Sequence, residues 1–236
     1  MTLDINEAEM DISLTSFRDD VFDTGIGKRH TERSGLAARV LEGWKDMRVS
    51  TRRLIEENPS EGRLLFYILL SDMIFFLSWS LKAVVAPSMA AQKMLPLEIG
   101  LILIAALFMR TFLVYMFSMV LWGIAKVFGG SGSARDTRAG VFWGSFVAAP
   151  FGLLFAFLTV IITSLEASFP MLQGSIISQA PYWLSLIPFV YFISAGVAEA
   201  HQFKLTFPMF AGLTLTAMAL WLVVLYLRAA GILTIG

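Results

Sequence analysis

The sequence contains no cysteine, which excludes disulfides, thiolate nucleophiles and cysteine-ligated zinc. It has two histidines, His30 and His201. Glu199-Ala200-His201 therefore offers two candidate ligands, which do not close a metal site. Charge is scarce as well. Only 15 % of the 236 residues are charged, against about 25 % in soluble domains, which leaves too little polar surface to cover a core in water. The formal net charge is zero, so nothing favours a nucleic-acid partner. No His-Glu-x-x-His or Gly-x-Ser-x-Gly run is present and no two aspartates pair inside an apolar stretch, so no catalysis and no cofactor are expected. The first apolar run starts at Leu64, after an acidic beginning, so the reading includes no cleavable signal peptide and makes the first span an uncleaved anchor.

What the chain has is apolar sequence, 57 % of its residues with a mean hydropathy of +0.72. Five segments approach the ~20 residues that a hydrocarbon core about 30 Å thick requires. They run over Leu64–Ala86, Leu97–Phe128, Gly140–Leu165, Tyr182–Ala200 and Phe207–Leu227. The second is too long for an upright crossing, so it tilts or continues as helix beyond the membrane. Pro87 and Pro96 bracket the first connection, and Pro170 and Pro181 the longest. The expected fold is an all-α membrane bundle of about five transmembrane helices over 64–230, with no second soluble domain.

Most of the charge precedes the bundle. Seven acids fall in the first 23 positions against one base, Arg18, and the hydrophobics keep no period, so 1–35 reads as a disordered acidic cytoplasmic tail. Across 36–58 a helical period appears. Leu36, Val40, Trp44, Met47, Leu54 and Ile55 fall within an arc of about 100°, bordered by Lys45, Arg48 and Arg52, and Asn58-Pro59 stops the helix. The pattern fits an interfacial helix with Trp44 at headgroup level and its bases on anionic lipid. A helix packed on the protein's own cytoplasmic face has the same pattern.

Basic residues near the spans number nine on one side and three on the other. The nine lie in Lys45–Arg63, at Lys126, Arg135 and Arg138, and at Lys204; the three are Lys82, Lys93 and Arg228. This asymmetry places the N-terminus in the cytoplasm and the C-terminus outside.

The run from Gly129 to Arg138 tempts a phosphate-loop reading, but no Lys follows at the required spacing. Ser133 and Asp136 instead form a capping box, and Gly129, Gly130 and Gly132 supply a tight cytoplasmic turn. This turn follows a long aliphatic-aromatic span, continues through Ser133, Arg135 and Thr137, and leads into a span containing Pro150. In that it resembles the Ypt/Rab-interacting protein (Yip) family, its bacterial branch above all. The resemblance covers Leu64–Arg228 and implies a membrane adaptor, in a bacterial inner membrane. The Asp-Leu-Tyr-Gly-Pro segment of eukaryotic members has no counterpart here.

In the third span Gly140, Gly144, Ala148, Gly152 and Ala156 recur every four residues, a seam that lets another backbone approach, either within the bundle or from a second copy. Pro150 removes the backbone bond to Phe146, giving a kink or a lined cavity. Asp72 and Arg110 lie inside the first two spans, about 12 and 10 Å from the cytoplasmic edge by helical rise and core thickness. Matching depths on antiparallel neighbours predict an ion pair; a proton or substrate relay is the alternative. The sequence thus points to a non-enzymatic adaptor or organiser whose partners are anionic headgroups and other membrane proteins or itself. The rival is a small transporter or lipid-handling protein using Asp72 and Arg110.

Overall fold

The computed structural model describes residues 35–85, 96–166, 168–169, 171 and 175–232. The acidic tail with His30, the loop residues Pro87 and Pro170, Lys93 and the expected end of the first span at Ala86 lie outside the described residues. Contacts divide the chain into residues 1–41 and 42–236. Of the first unit only residues 35–41 are described.

Among the described residues the chain is all-helical, with seven helices and no strand. These are α1 (Leu36–Lys45), α2 (Met47–Glu56), α3 (Glu61–Val85), α4 (Pro96–Val127), α5 (Ala134–Leu165), α6 (Ser175–Ala200) and α7 (Phe207–Ala229). The last five are long and apolar enough to cross a membrane.

Two boundaries differ from the sequence reading. The amphipathic segment is two helices, because Asp46 adopts an extended conformation (φ −148°, ψ 96°) and its carboxylate accepts from the amides of Arg48 and Val49. This is an N-cap, which satisfies donors that an uninterrupted helix would have bonded internally. The longest connection is also shorter than expected. α6 begins at Ser175, and both Pro181 and Pro188 lie inside it, as apolar spanning helices tolerate.

α5 is the central helix, packed against α2, α3, α4 and α6, whereas α7 packs on α6. At 1.5 Å per residue, the 32 residues each of α4 and α5 extend about 48 Å, well beyond a 30 Å core. Burial along α5 changes abruptly. Every residue from Ala139 to Ala149 is buried, and from Pro150 onward nearly all are half-buried or exposed. α6 changes at the matching level: Phe192–Ala200 are buried, and the exposed Trp183, Leu184, Ile187 and Tyr191 precede them.

The enclosed half carries an aromatic core. Tyr67 meets Trp143 edge-on at 5.0 Å and stacks on Phe146 at 5.9 Å, while Tyr115 meets Phe142 at 4.7 Å. Trp143 Nε1 also donates to Ser50 Oγ at 3.0 Å, tying α2 to the middle of that core. Alongside the same half, Trp44 Nε1 donates to the Val147 carbonyl at 2.8 Å, and the adjoining Lys45 and Asp46 are exposed. Val147 stands thirteen residues into α5, about 20 Å along it.

Candidate functional site

The polar groups of the enclosed half converge at two places. The first is the end of α6. Glu199, 1 % exposed, accepts from Arg48 Nε at 2.8 Å and from Arg52 Nε at 2.6 Å. Arg48 also donates to the carbonyls of Lys204 at 2.9 Å and Phe203 at 2.6 Å, so one guanidinium ties α2 to both the end of α6 and the loop after it. Both oxygens of a buried carboxylate are thereby satisfied, the condition under which such a charge is tolerable. The hydrogen bond to Glu199, and its charge, hold the Arg52 guanidinium above its ordinary pKa.

These contacts give Trp44, Arg48 and Arg52, expected to face lipid, partners within the protein. Trp44 is bonded to α5 and lies 5.0 Å from the Phe151 ring, and both arginines are turned to Glu199. α2 packs on both α5 and α6. Lys45, Trp44 and Arg52 keep exposed surface, and Arg48 is half-buried.

Two residues past Glu199, His201 is held by the glycine-rich turn. α4 ends in a Schellman motif: Gly130 N–H bonds the Ala125 carbonyl at 2.8 Å and Gly129 N–H that of Lys126 at 3.1 Å, with Gly129 at φ +80°. α6 ends the same way, with Phe203 bonded to Ala198 at 2.8 Å and Gln202 to Glu199 at 3.0 Å. There a non-glycine, Gln202, takes the left-handed position at φ 58°.

The two ends interlock. Ser131 donates through its amide and its hydroxyl to the His201 carbonyl, each at 3.3 Å. A Cβ on Gly130 would lie 2.8 Å from His201 Cγ, and one on Gly132 would overlap the Ala200 carbonyl. These glycines are what lets the ring and α6 come so close.

The turn then caps α5. Ser133 Oγ accepts from Asp136 N–H at 3.1 Å, and Asp136 Oδ2 accepts from Ser133 N–H at 3.1 Å. Arg135 donates to the Pro59 carbonyl at 2.5 Å. Thr137 Oγ1 lies 2.9 Å from His201 Nε2 and gives its own hydrogen to the Ser133 carbonyl. Nε2 of the neutral ring must therefore carry the proton and donate it. His201 is 2 % exposed. Burial first, and then the Lys126 charge, push its pKa down, against opposing pulls from the Gly130 backbone and Asp136.

The second place lies deeper, between α3 and α4. The Arg110 guanidinium meets the Asp72 carboxylate, with Asp72 fully enclosed. Asp72 Oδ2 accepts from Thr111 Oγ1 at 2.7 Å, and the Phe75 ring covers the guanidinium 4.2 Å from its centre, a favourable cation–π arrangement. The adjacent Ser71 donates to the Ser145 carbonyl at 3.2 Å.

The expected small-residue seam on α5 is shared between two neighbours. Gly140 and Gly144 face the α6 backbone at Gly196 and at Phe192–Ile193, whereas Gly152 faces Phe75 of α3. Ala148 and Ala156 are buried. α5 runs unbroken through Pro150.

Sequence reasoning missed Gly196, Thr111 and the pairing of Glu199 with α2. The small-residue run Ser194-Ala195-Gly196 is the signal that could have supplied the first. Comparison of the chain with family models, with curated proteins and with solved structures finds no match. The fold and its polar clusters define an all-helical chain whose five apolar helices are compatible with an integral membrane protein.

Proposed function

We propose that this protein is a non-enzymatic organiser of an inner membrane, acting through lateral contacts with proteins and lipids rather than through a transport path. The observation that carries this reading is the distribution of polar and apolar surface. Each buried carboxylate is ion-paired, Asp72 with Arg110 and Glu199 with Arg48 and Arg52, while two helices keep apolar flanks open. α7 buries none of its residues. α4 exposes Phe108, Phe112, Met116 and Val120.

The groove of about 520 Å³ between α6 and α7 is lined by apolar and aromatic side chains, Trp183 and Trp221 among them, with Thr214. Asp72 and Arg110 are not part of its wall. A transporter built on that ion pair would need a wet path to it. The likeness of the glycine-rich turn to bacterial Yip-family proteins supports the same role, with the α2 end in the cytoplasm and Lys45 near the anionic headgroups.

Extraction of the full chain from native membrane in mild detergent, followed by identification of bound proteins and lipids, tests the reading. A stoichiometric protein partner or a self-assembly is expected. Solute or proton flux in proteoliposomes that Asp72→Asn abolishes would overturn it in favour of transport.

A further inference from the structure

His201 sits where the ends of two helices are fastened together. Its carbonyl holds Ser131, its Nε2 holds Thr137, and its ring stacks on Phe203 at 5.8 Å and 20°. Two residues earlier, Glu199 holds α2 through a separate pair of arginines. The end of α6 is therefore a hub with two sides, one carrying a titratable ring and the other an ion-paired carboxylate. We propose that His201 is a proton-operated latch, which as the neutral ring holds the glycine-rich turn against α6 and as the imidazolium lets the turn lift.

The geometry makes the neutral ring the fitting one. The space opened by Gly130 and Gly132 admits the ring but leaves it 2 % exposed, and a buried charge without full solvation is disfavoured. The charged groups around it come from every element that packs there. α4 contributes Lys126, whose Nζ bonds the Ser131 carbonyl at 3.2 Å. α5 contributes Asp136, already engaged by Ser133. α6 contributes Glu199, which α2 occupies through Arg48 and Arg52. Lys204 follows in the loop. The nearby carboxylates are thus engaged elsewhere, and the Lys126 charge acts on the ring more strongly than that of Asp136.

A histidine whose folded pKa lies below its unfolded value of about 6.5 stabilises the fold at pH above that value. The contribution is lost as pH falls through the lower, folded value. Acid therefore weakens the attachment of the turn and leaves the arginine side of the hub in place.

The absence of cysteine allows a direct test on the full chain in liposomes. A single nitroxide is placed at Phe128→Cys, next to the turn, or at Val49→Cys on α2, both at exposed positions. Spectra are compared at about pH 7.5 and about pH 5, the acid arm set further from the ordinary value of about 6.5 because the ring titrates below it. The expected result is a several-fold rise in the mobile fraction at position 128 on acidification, with position 49 unchanged. His201→Gln, which keeps a donor for Thr137 but cannot titrate, should abolish the rise. Lys126→Gln should move its midpoint to higher pH, and this variant decides the matter if His201→Gln does not fold. Equal mobility at both pH values, parallel changes at both positions, an undiminished response in His201→Gln or an unmoved midpoint in Lys126→Gln would overturn the latch.

Discussion

Gly140 of α5 and Gly196 of α6 meet backbone to backbone. A Cβ on Gly140 would stand 2.6 Å from the Gly196 carbonyl oxygen, and one on Gly196 would overlap the Gly140 carbonyl in turn. Side chains here must push two helices apart along their most enclosed stretch. Gly140→Leu and Gly196→Leu are each expected to cost more than the ~1–3 kcal/mol typical of overpacking, read as a large fall in melting temperature in detergent. At Gly152 the corresponding Cβ would lie 3.6 Å from the Phe75 ring, an ordinary contact, and Gly152→Ala should melt close to the parent.

The Asp72–Arg110 pair predicts a non-additive cycle. Breaking a buried pair on one side typically costs ~3–5 kcal/mol because the other charge is left uncompensated. Asp72→Asn and Arg110→Leu should each lower membrane abundance and thermal stability, and the double variant should recover much of the loss. Thr111→Val removes one bond to the carboxylate and should cost ~1.5–3 kcal/mol. Simple additivity of the two single effects in thermal melts would mean that the pair contributes nothing as a pair.

The two arginines on Glu199 are unequal. Arg48 is 30 % exposed and Arg52 57 %, and Arg48 alone also bonds the Phe203 and Lys204 carbonyls. Arg48→Met should therefore destabilise clearly more than Arg52→Met, whose contact is largely screened by solvent. Limited proteolysis between α6 and α7 gives the readout, with Arg48→Met cut faster.

Gln202 holds a left-handed conformation that costs an L-residue roughly 1–2 kcal/mol. Its side chain recovers part of this by donating to the Glu199 carbonyl at 3.1 Å. Gln202→Gly should thus be neutral to modestly stabilising, by up to about 1 kcal/mol in chemical denaturation, whereas Gln202→Val should destabilise.

The asymmetry of basic residues predicts a topology that reporter fusions can check. A reporter active only in the cytoplasm should work when fused after Gly35 and fail when fused after Gly236. Activity at both sites would require an even number of crossings.

The five apolar helices were legible because length and hydropathy are properties of continuous sequence, and helix is the form in which an apolar segment satisfies its own backbone. Ser133 and Asp136 could be read as a cap because the motif lies within four residues. What escaped depends on neighbours remote in sequence. Nothing local to Arg48 or Arg52 distinguishes a lipid phosphate from Glu199, about 150 positions away, since both are anions beside the same helical arc. Gly196 went unread because its partner stripe on α5 shows the spacing of four while α6 itself does not. The break at Asp46 was hidden because the apolar period carries on across it.

The Trp44–Val147 bond has a consequence for the lipid around the molecule. On the α2 flank it fixes the exposed charges of Lys45 and Asp46 beside the middle of α5, where acyl chains cannot solvate them. On the α4 flank, exposed Val120, Ile124 and Val127 carry apolar surface nearly to the glycine-rich turn, about 20 Å further along by helical rise. A leaflet that wets one flank and spares the other meets the protein at two heights. The 32-residue helices, too long for an upright passage, have the length that a leaning one uses.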